Sequence, residues 1–385
     1  MPALLAMAAS LCAQDLLLAR IKNRMADNLR RQPNYTCLET IERTRRPHGA
    51  KAQIADTLRM EVALVEGKEL FAWPGSKKFE DTDLRDMIST GTFGSGNYAL
   101  HARTVFLSSA PTFEARGETT LRGRTLIRYD FRVARLVSGY HMTVGTKEAI
   151  VGYRGSFYTD PETLDVQRLE VVVEEIPPEL GVTAASDSVT YGWLDIGGRP
   201  FLLPLESELA MVLGGQENRN YTRFTGCREY SGESVLRFDD PLPDQAAGPV
   251  VEEVEIPAGL SVTLALSTAL DLSHAAVGDP VEAELRGDLK HRKQVLAPKG
   301  ARVAGRITRL ERHDDHIVFG VSFQEMEWPG WRARVKLELD RMLGVDAAVF
   351  GRTRPIYDSR PGEGIVLLRP GRARLSRGIL MLWRT

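Results

Sequence analysis

Glu311 to Phe319 reads ERHDDHIVF, setting His313 and His316 around Asp314 and Asp315, the densest run of metal-capable side chains in the chain. Imidazoles and carboxylates are the donors of a hydrolytic metal centre, but such a centre needs three or four ligands in fixed geometry. No further partner is recognisable in the sequence. The flanks RITRL and IVFGVSF alternate as strands do, so the run reads as the polar turn of a hairpin. The other candidates have equally ordinary readings. GTFGSGN (91–97) is glycine-rich but lacks the Gly-Lys-Ser/Thr ending that places a lysine on phosphate, and Ser95 does not sit in a G-x-S-x-G elbow. VVVEEIPPEL reads as a solvated strand end rather than an acid/base pair. Trp193, Trp328, Trp331 and Trp383 suit core or rim packing in β-domains as well as they suit a binding face. No catalytic constellation emerges, so the sequence predicts a protein that is not an enzyme and takes no cofactor and no metal.

The cysteines carry more information. There are three, Cys12, Cys37 and Cys227. The first lies in MPALLAMAASLCAQ, which is apolar and uncharged up to Ala13, too short to span a bilayer and suited to the apolar region of a secretory signal. Cleavage after Ala13 removes Cys12. Lipidation of Cys12 is disfavoured by the bulky Leu11 before it. Cys37 and Cys227 then remain as an even pair in an oxidising compartment. An Asn-Tyr-Thr triplet precedes each, in NYTCLE and NYTRFTGCRE, and both stretches are strand-like. A Cys37–Cys227 disulfide tying the first strand of a domain to its last is the expectation.

The elements around them follow from periodicity. Leu17, Leu18, Ile21, Met25 and Leu29 fall at helical spacing before Gln32 and Pro33 stop the run. Strand patterns dominate afterwards. Leu58, Met60, Val62 and Leu64 alternate before a turn at Glu66–Lys68, and Tyr129 and Phe131 lie on one face of a later strand. Two hairpins turn at Asp160–Thr163 and at Gly197–Gly198. Short helices are expected around Met87 and Val105, with Gly91, Gly94 and Gly96 as a hinge between them. The Pro- and Ala-rich run from Asp240 to Glu253 reads as a linker. Of the 385 residues, 50 Lys and Arg nearly cancel 51 Asp and Glu for a net charge of -1. No global field draws nucleic acid or an anionic membrane, and any membrane association is peripheral at most.

Residues 14–240, with their N-terminal helix, strand runs and the segment YRGSFYTDPETLDVQRLEV, resemble the LolA-like periplasmic lipoprotein-carrier half-barrels. The resemblance implies a curved antiparallel sheet around an apolar hollow fit for a lipid or lipidated peptide. Residues 254–385 are similar to the β-barrel of TrbI-like outer-membrane core subunits of type IV secretion systems. That likeness rests on Ala258-Gly259, Thr268 with Leu270, Gly278 with Val281 and Ala283, and Pro298 with Gly300, Val303 and Gly305. It implies a barrel, and the echo of PAGLSV in PKGARV implies two similar corners in it. The antenna and proline-rich arm of a secretion subunit are not recognisable.

The expected fold is therefore mainly β (α+β): a signal at 1–13, a half-barrel with an N-terminal helix and plug helices at 14–240, a linker at 241–253, and a smaller β-barrel at 254–385. The expected function is that of an exported protein of the periplasm or cell exterior. Its apolar hollow, lined by Leu58, Met60, Val62, Leu64, Tyr129 and Phe131, binds an apolar or lipidated ligand. Its barrel meets envelope partners. The first alternative is a structural subunit of an envelope complex without ligand binding; the second is a metal-dependent hydrolase.

Overall fold

The computed structural model describes residues 2–76, 79, 84–88, 91–94, 98–230, 252–313, 315–344, 347–349, 361–369 and 373–385. The chain divides into two compact units. One comprises Met1–Gln53, Met60–Ala72 and Ser76–Gly232, the other Ile54–Arg59, Trp73–Gly75 and Glu233–Thr385. The linker expected at 241–253 lies mostly outside the described residues.

The first unit opens with helix α1 (Pro2–Arg31), which runs unbroken through Ala13 and Gln14. Ile21, Met25 and Leu29 are buried and Leu17 and Leu18 partly so, as their spacing requires. Strands β1 (Tyr35–Arg46), β2 (Gln53–Val65, of which Ile54–Arg59 is grouped with the other unit) and β3 (Lys68–Ala72) follow, then helices α2 (Leu84–Met87) and α3 (Leu100–Leu107). Next come β4 (Thr112–Leu121), β5 (Arg124–Val133), the small hairpin β6 (His141–Val144) and β7 (Lys147–Ile150), β8 (Gly152–Thr159) and β9 (Val166–Glu174). Three long strands finish the unit: β10 (Val182–Ile196), β11 (Arg199–Leu213) and β12 (Gln216–Glu229). Ten of these strands form one curled sheet in the order β3-β2-β1-β12-β11-β10-β9-β8-β5-β4. The β8–β9 and β10–β11 hairpins turn where the sequence placed them.

This topology seats the first strand of the unit against its last. β1 pairs antiparallel with β12, and a bulge between Thr36 and Leu38 shifts the register at Cys37. Cys37 and Cys227 are thereby brought to a Cα–Cα distance of 4.1 Å and joined by a disulfide. The expectation from cysteine parity holds.

The second unit is a separate antiparallel sheet. Its main strands are β13 (Ser261–Leu266), β14 (Pro280–Leu285), β15 (Arg302–Arg312), β16 (Ile317–Trp328), β17 (Trp331–Arg334), β18 (Glu338–Leu343), β19 (Glu363–Leu368) and β20 (Leu380–Arg384). They pair in the order β17-β16-β15-β14-β13-β20-β18, and β19 pairs with β16. The sheet curls back on itself at Gly364 on β19, where a Cβ would fall 2.6 Å from Leu339 on β18 and 2.6 Å from the Trp383 ring. Only glycine allows that approach. The two corners expected from the sequence echo are alike: Gly259 has φ 87° and Gly300 φ 88°, and a strand starts two residues after each. Val281, Ala283 and Val303 line the core, with Phe319, Phe323 and Trp383 among the largest side chains.

Candidate functional site

The face of the first sheet that α1 and α3 cover is buried, and it has two chemically different halves. The apolar half is a single cluster. α1 contributes Ile21, Met25 and Leu29, and α3 contributes Ala102, Val105 and Phe106. The strands beneath supply Tyr129, Phe131, Tyr153, Phe157 and a set of aliphatic residues. Tyr129 stacks on Phe157 with centroids 5.3 Å apart, and Phe106 meets the same ring edge-on at 5.2 Å. Aromatic pairs in these arrangements add to the stabilisation from burial itself.

The polar half lies toward β1. Its inward positions read Tyr35, Cys37, Glu39, Ile41 and Arg43, all buried. Glu39 is 7% exposed, and its Oε2 has no hydrogen-bond partner among the described residues. Burial, followed by the negative charge of Glu69, pushes its carboxyl up to about 8, so it is largely neutral at pH 7. Burial likewise holds the Tyr35, Tyr98 and Tyr191 hydroxyls far above the ordinary phenol range. Tyr98 donates its hydroxyl hydrogen to Cys37 Sγ at 3.1 Å. The Arg43 guanidinium runs under Gly91, and the Asn220 side chain donates to the Thr92 carbonyl at 2.8 Å.

α3 is tied down between the halves by polar contacts. Glu69 Oε1 accepts the backbone N–H groups of Ala99 at 2.8 Å and Leu100 at 3.2 Å, capping the start of the helix with a carboxylate. His101 Nε2 lies 3.3 Å from Asp187 Oδ2, both residues being buried. Arg103 donates to the Leu29 carbonyl of α1 at 3.3 Å.

A small cavity of about 60 Å³ opens where the apolar half meets solvent beside α1. Its floor is Met25, Leu164, Val166 and Leu202, all members of the cluster. Arg24, Arg31 and Trp193 stand around it. Asp165 holds two of these in place, accepting Arg24 Nε at 2.6 Å on one oxygen and the Trp193 indole N–H at 3.0 Å on the other. Asn28 closes the wall by pairing with both backbone groups of Leu202, donating to its carbonyl at 2.9 Å and accepting its N–H at 2.9 Å.

The residues expected to line the hollow are all buried. Tyr129 and Phe131 come together in the apolar cluster, which among the described residues does not include Leu58, Met60, Val62 or Leu64. Those four alternate on β2, second in the sheet order, whereas β5 is ninth. The space between is filled by side chains of the helices and strands, and the β1 side of the face is polar. Of the expected hinge, Gly91 and Gly94 are described and Gly96 is not; Ser95 also lies outside the described residues. Trp193 is 47% exposed, whereas Trp383 is core. His313 and His316 occupy the β15–β16 turn with rings stacked at 4.4 Å, His313 facing Glu311 and His316 facing Asp315. Asp314 is outside the described residues, and no group of three or more potential metal ligands occurs among the described ones.

Sequence reasoning missed Glu39, Arg43, His101, Asp187, Asn28 and Asp165. Glu39 and Arg43 had a signal, since strand alternation puts them on the same face as Cys37. Asp187 and Asp165 had none, because each meets its partner only through the tertiary fold.

No protein-family model matches the chain, and no curated protein sequence matches it. Solved structures similar to part of it include the following two. One is a DUF1329 family protein from Desulfovibrio piger, 9% identical, with the match covering 56% of this chain and 92% of that one at a TM-score of 0.32. The other is a putative outer membrane lipoprotein-sorting protein domain from Vibrio parahaemolyticus, 10% identical, covering 55% of this chain and 92% of that one, also at 0.32. At that TM-score neither likeness bears on function. The fold itself defines a mainly β protein: a curled ten-stranded sheet with helices on one face, and a second, smaller β unit.

Proposed function

We propose that the protein works in the cell envelope after export, and that its first unit binds an apolar or lipidated ligand on the sheet face covered by α1 and α3. The observation that supports this is the aromatic and aliphatic cluster closed over by α3, a helix of eight residues that is too short to be stable as an isolated element. A ligand would lift α3 and replace its contacts. Withdrawing the buried Val105 and Phe106 side chains costs about 3–6 kcal/mol. A buried alkyl chain returns about 0.8 kcal/mol per methylene, so roughly four to eight carbons offset that cost and a twelve-carbon chain exceeds it. Tyr129 and Phe131 are the proposed contacts, and Leu58, Met60, Val62 and Leu64 are a second apolar stretch for a longer ligand. The disulfide suits an oxidising compartment, and among the described residues no helix is long and apolar enough to cross a membrane. The second unit, on this reading, docks an envelope partner.

The filled state of the face favours one rival, in which the sheet is a docking surface within an assembly and binds no lipid. Titration with a fluorescent twelve-carbon acyl probe separates the two. Saturable binding is expected in the wild type and about tenfold weaker binding in Phe131→Ala with an unchanged circular dichroism spectrum. Absence of saturable binding, together with a lipid-free assembly in native mass spectrometry, hands the protein to the docking reading.

A further inference from the structure

The cavity beside α1 carries a statement about the ligand's polar end. Its floor belongs to the apolar cluster, while its rim carries two guanidiniums and one carboxylate, for a formal charge of +2 − 1 = +1. Asp165 is almost fully buried, and each of its oxygens is already engaged, one by Arg24 and one by Trp193. Arg24 meets it through Nε, which leaves the two terminal amines of that side chain available as donors. Arg31 uses its Nε on the Asp27 carbonyl within α1 and has no carboxylate partner among the described ion pairs. The half-exposed Trp193 indole, fixed by its N–H, offers an apolar plate at the border of core and water.

Guanidinium groups donate paired hydrogen bonds in a plane, the pattern that a carboxylate or phosphate accepts. The volume, about 60 Å³, admits the end of one alkyl chain and is well below the roughly 150 Å³ that takes benzene. We infer that this cavity is the headgroup seat for a single alkyl chain ending in an anionic group, its head on Arg24 and Arg31, its first carbons against Trp193, and its remainder directed into the cluster. The inference rests on the ligand-binding reading above and narrows it to a class, single-chain anionic amphiphiles.

The test is a calorimetric titration of the full-length protein, below the micellar concentrations, with four twelve-carbon chains: dodecanoate, dodecyl phosphate, dodecyltrimethylammonium and dodecyl maltoside. The two anions should bind about tenfold or more tighter than the cation, with an advantage that shrinks as salt is raised. The better of the two anions identifies the headgroup. Arg31→Gln should remove most of that preference and Arg31→Glu should invert it, while maltoside affinity stays unchanged in both. Arg31 is exposed, so both variants keep the fold. Equal affinity for all four heads, or an anion preference untouched by Arg31→Glu, overturns the headgroup seat and leaves the ligand-binding reading standing. No binding of any chain overturns both.

Discussion

At the scale of single residues, Glu39 is the most consequential side chain on the covered face. Its carboxyl sits at about 8 in the folded protein against 4.5 for an unperturbed glutamate, because burial and the nearby Glu69 charge both disfavour ionisation. Between these values the folded state keeps a proton that the unfolded chain has released. Stability is therefore full below about pH 4.5 and declines as pH rises toward 8, by up to about 1.4 kcal/mol per pH unit. Glu39→Gln keeps the shape and removes the titration. The expected outcome is a variant whose melting temperature, relative to wild type, climbs steadily from pH 5 to pH 8 and then levels. A difference that is flat across that window would mean the carboxyl is hydrated in the folded protein.

At the scale of elements, the β1–β12 pair holds the first unit closed. Between these strands run a long antiparallel ladder, interrupted by the bulge at Cys37, and a disulfide spanning 190 residues of chain. A loop of that length restricts the unfolded ensemble by about 5 kcal/mol in the chain-entropy model, an upper figure if strands β1 and β12 already associate in the unfolded state. Replacing Cys37 and Cys227 together by alanine should lower the unfolding free energy of the first unit, read from its urea transition, by an amount approaching that figure, with no effect on the second unit. Non-reducing peptide maps of the wild type should contain one linked peptide, and two freely alkylated cysteines in native material would contradict the pairing. α3 is the contrasting element. Its register over the sheet depends on one carboxylate cap, one His–Asp contact, the Arg103 hydrogen bond to α1 and three buried apolar side chains, a small set that a ligand can replace.

At the scale of the whole molecule, each unit has its own sheet and its own core. The Pro- and Ala-rich run at Asp240–Glu253 is proposed to join two independently folding parts. Limited proteolysis should cut within it first, leaving two resistant fragments of about 240 and 130 residues, each with its own unfolding transition. Initial cleavage elsewhere, or one cooperative transition for the intact chain, would count against that boundary.

Local rules made much of this protein legible in its sequence. Period-3.6 spacing marked the buried stripe Ile21, Met25 and Leu29, and period-2 alternation marked Leu58 to Leu64, because both repeats follow from backbone geometry alone. The turns at Asp160–Thr163 and Gly197–Gly198 were readable from turn chemistry, and the Cys37–Cys227 bond from parity and matching strand contexts. The glycine corners at Gly259 and Gly300 repeat a local motif and were visible as one. What lay beyond the sequence is set by which strands become neighbours. Alternation says that Met60 and Phe131 are both inward. It does not say that they stand near opposite ends of the sheet order, or that the intervening face is filled by α1 and α3. Nor does it reveal that Glu39 loses its water, or that Asp165 gathers Arg24, 141 residues before it, and Trp193, 28 after it, around one cavity. Burial and charge pairing are properties of groups distant in sequence that only the fold brings within hydrogen-bonding range, so the tertiary structure alone decided the chemistry of the site.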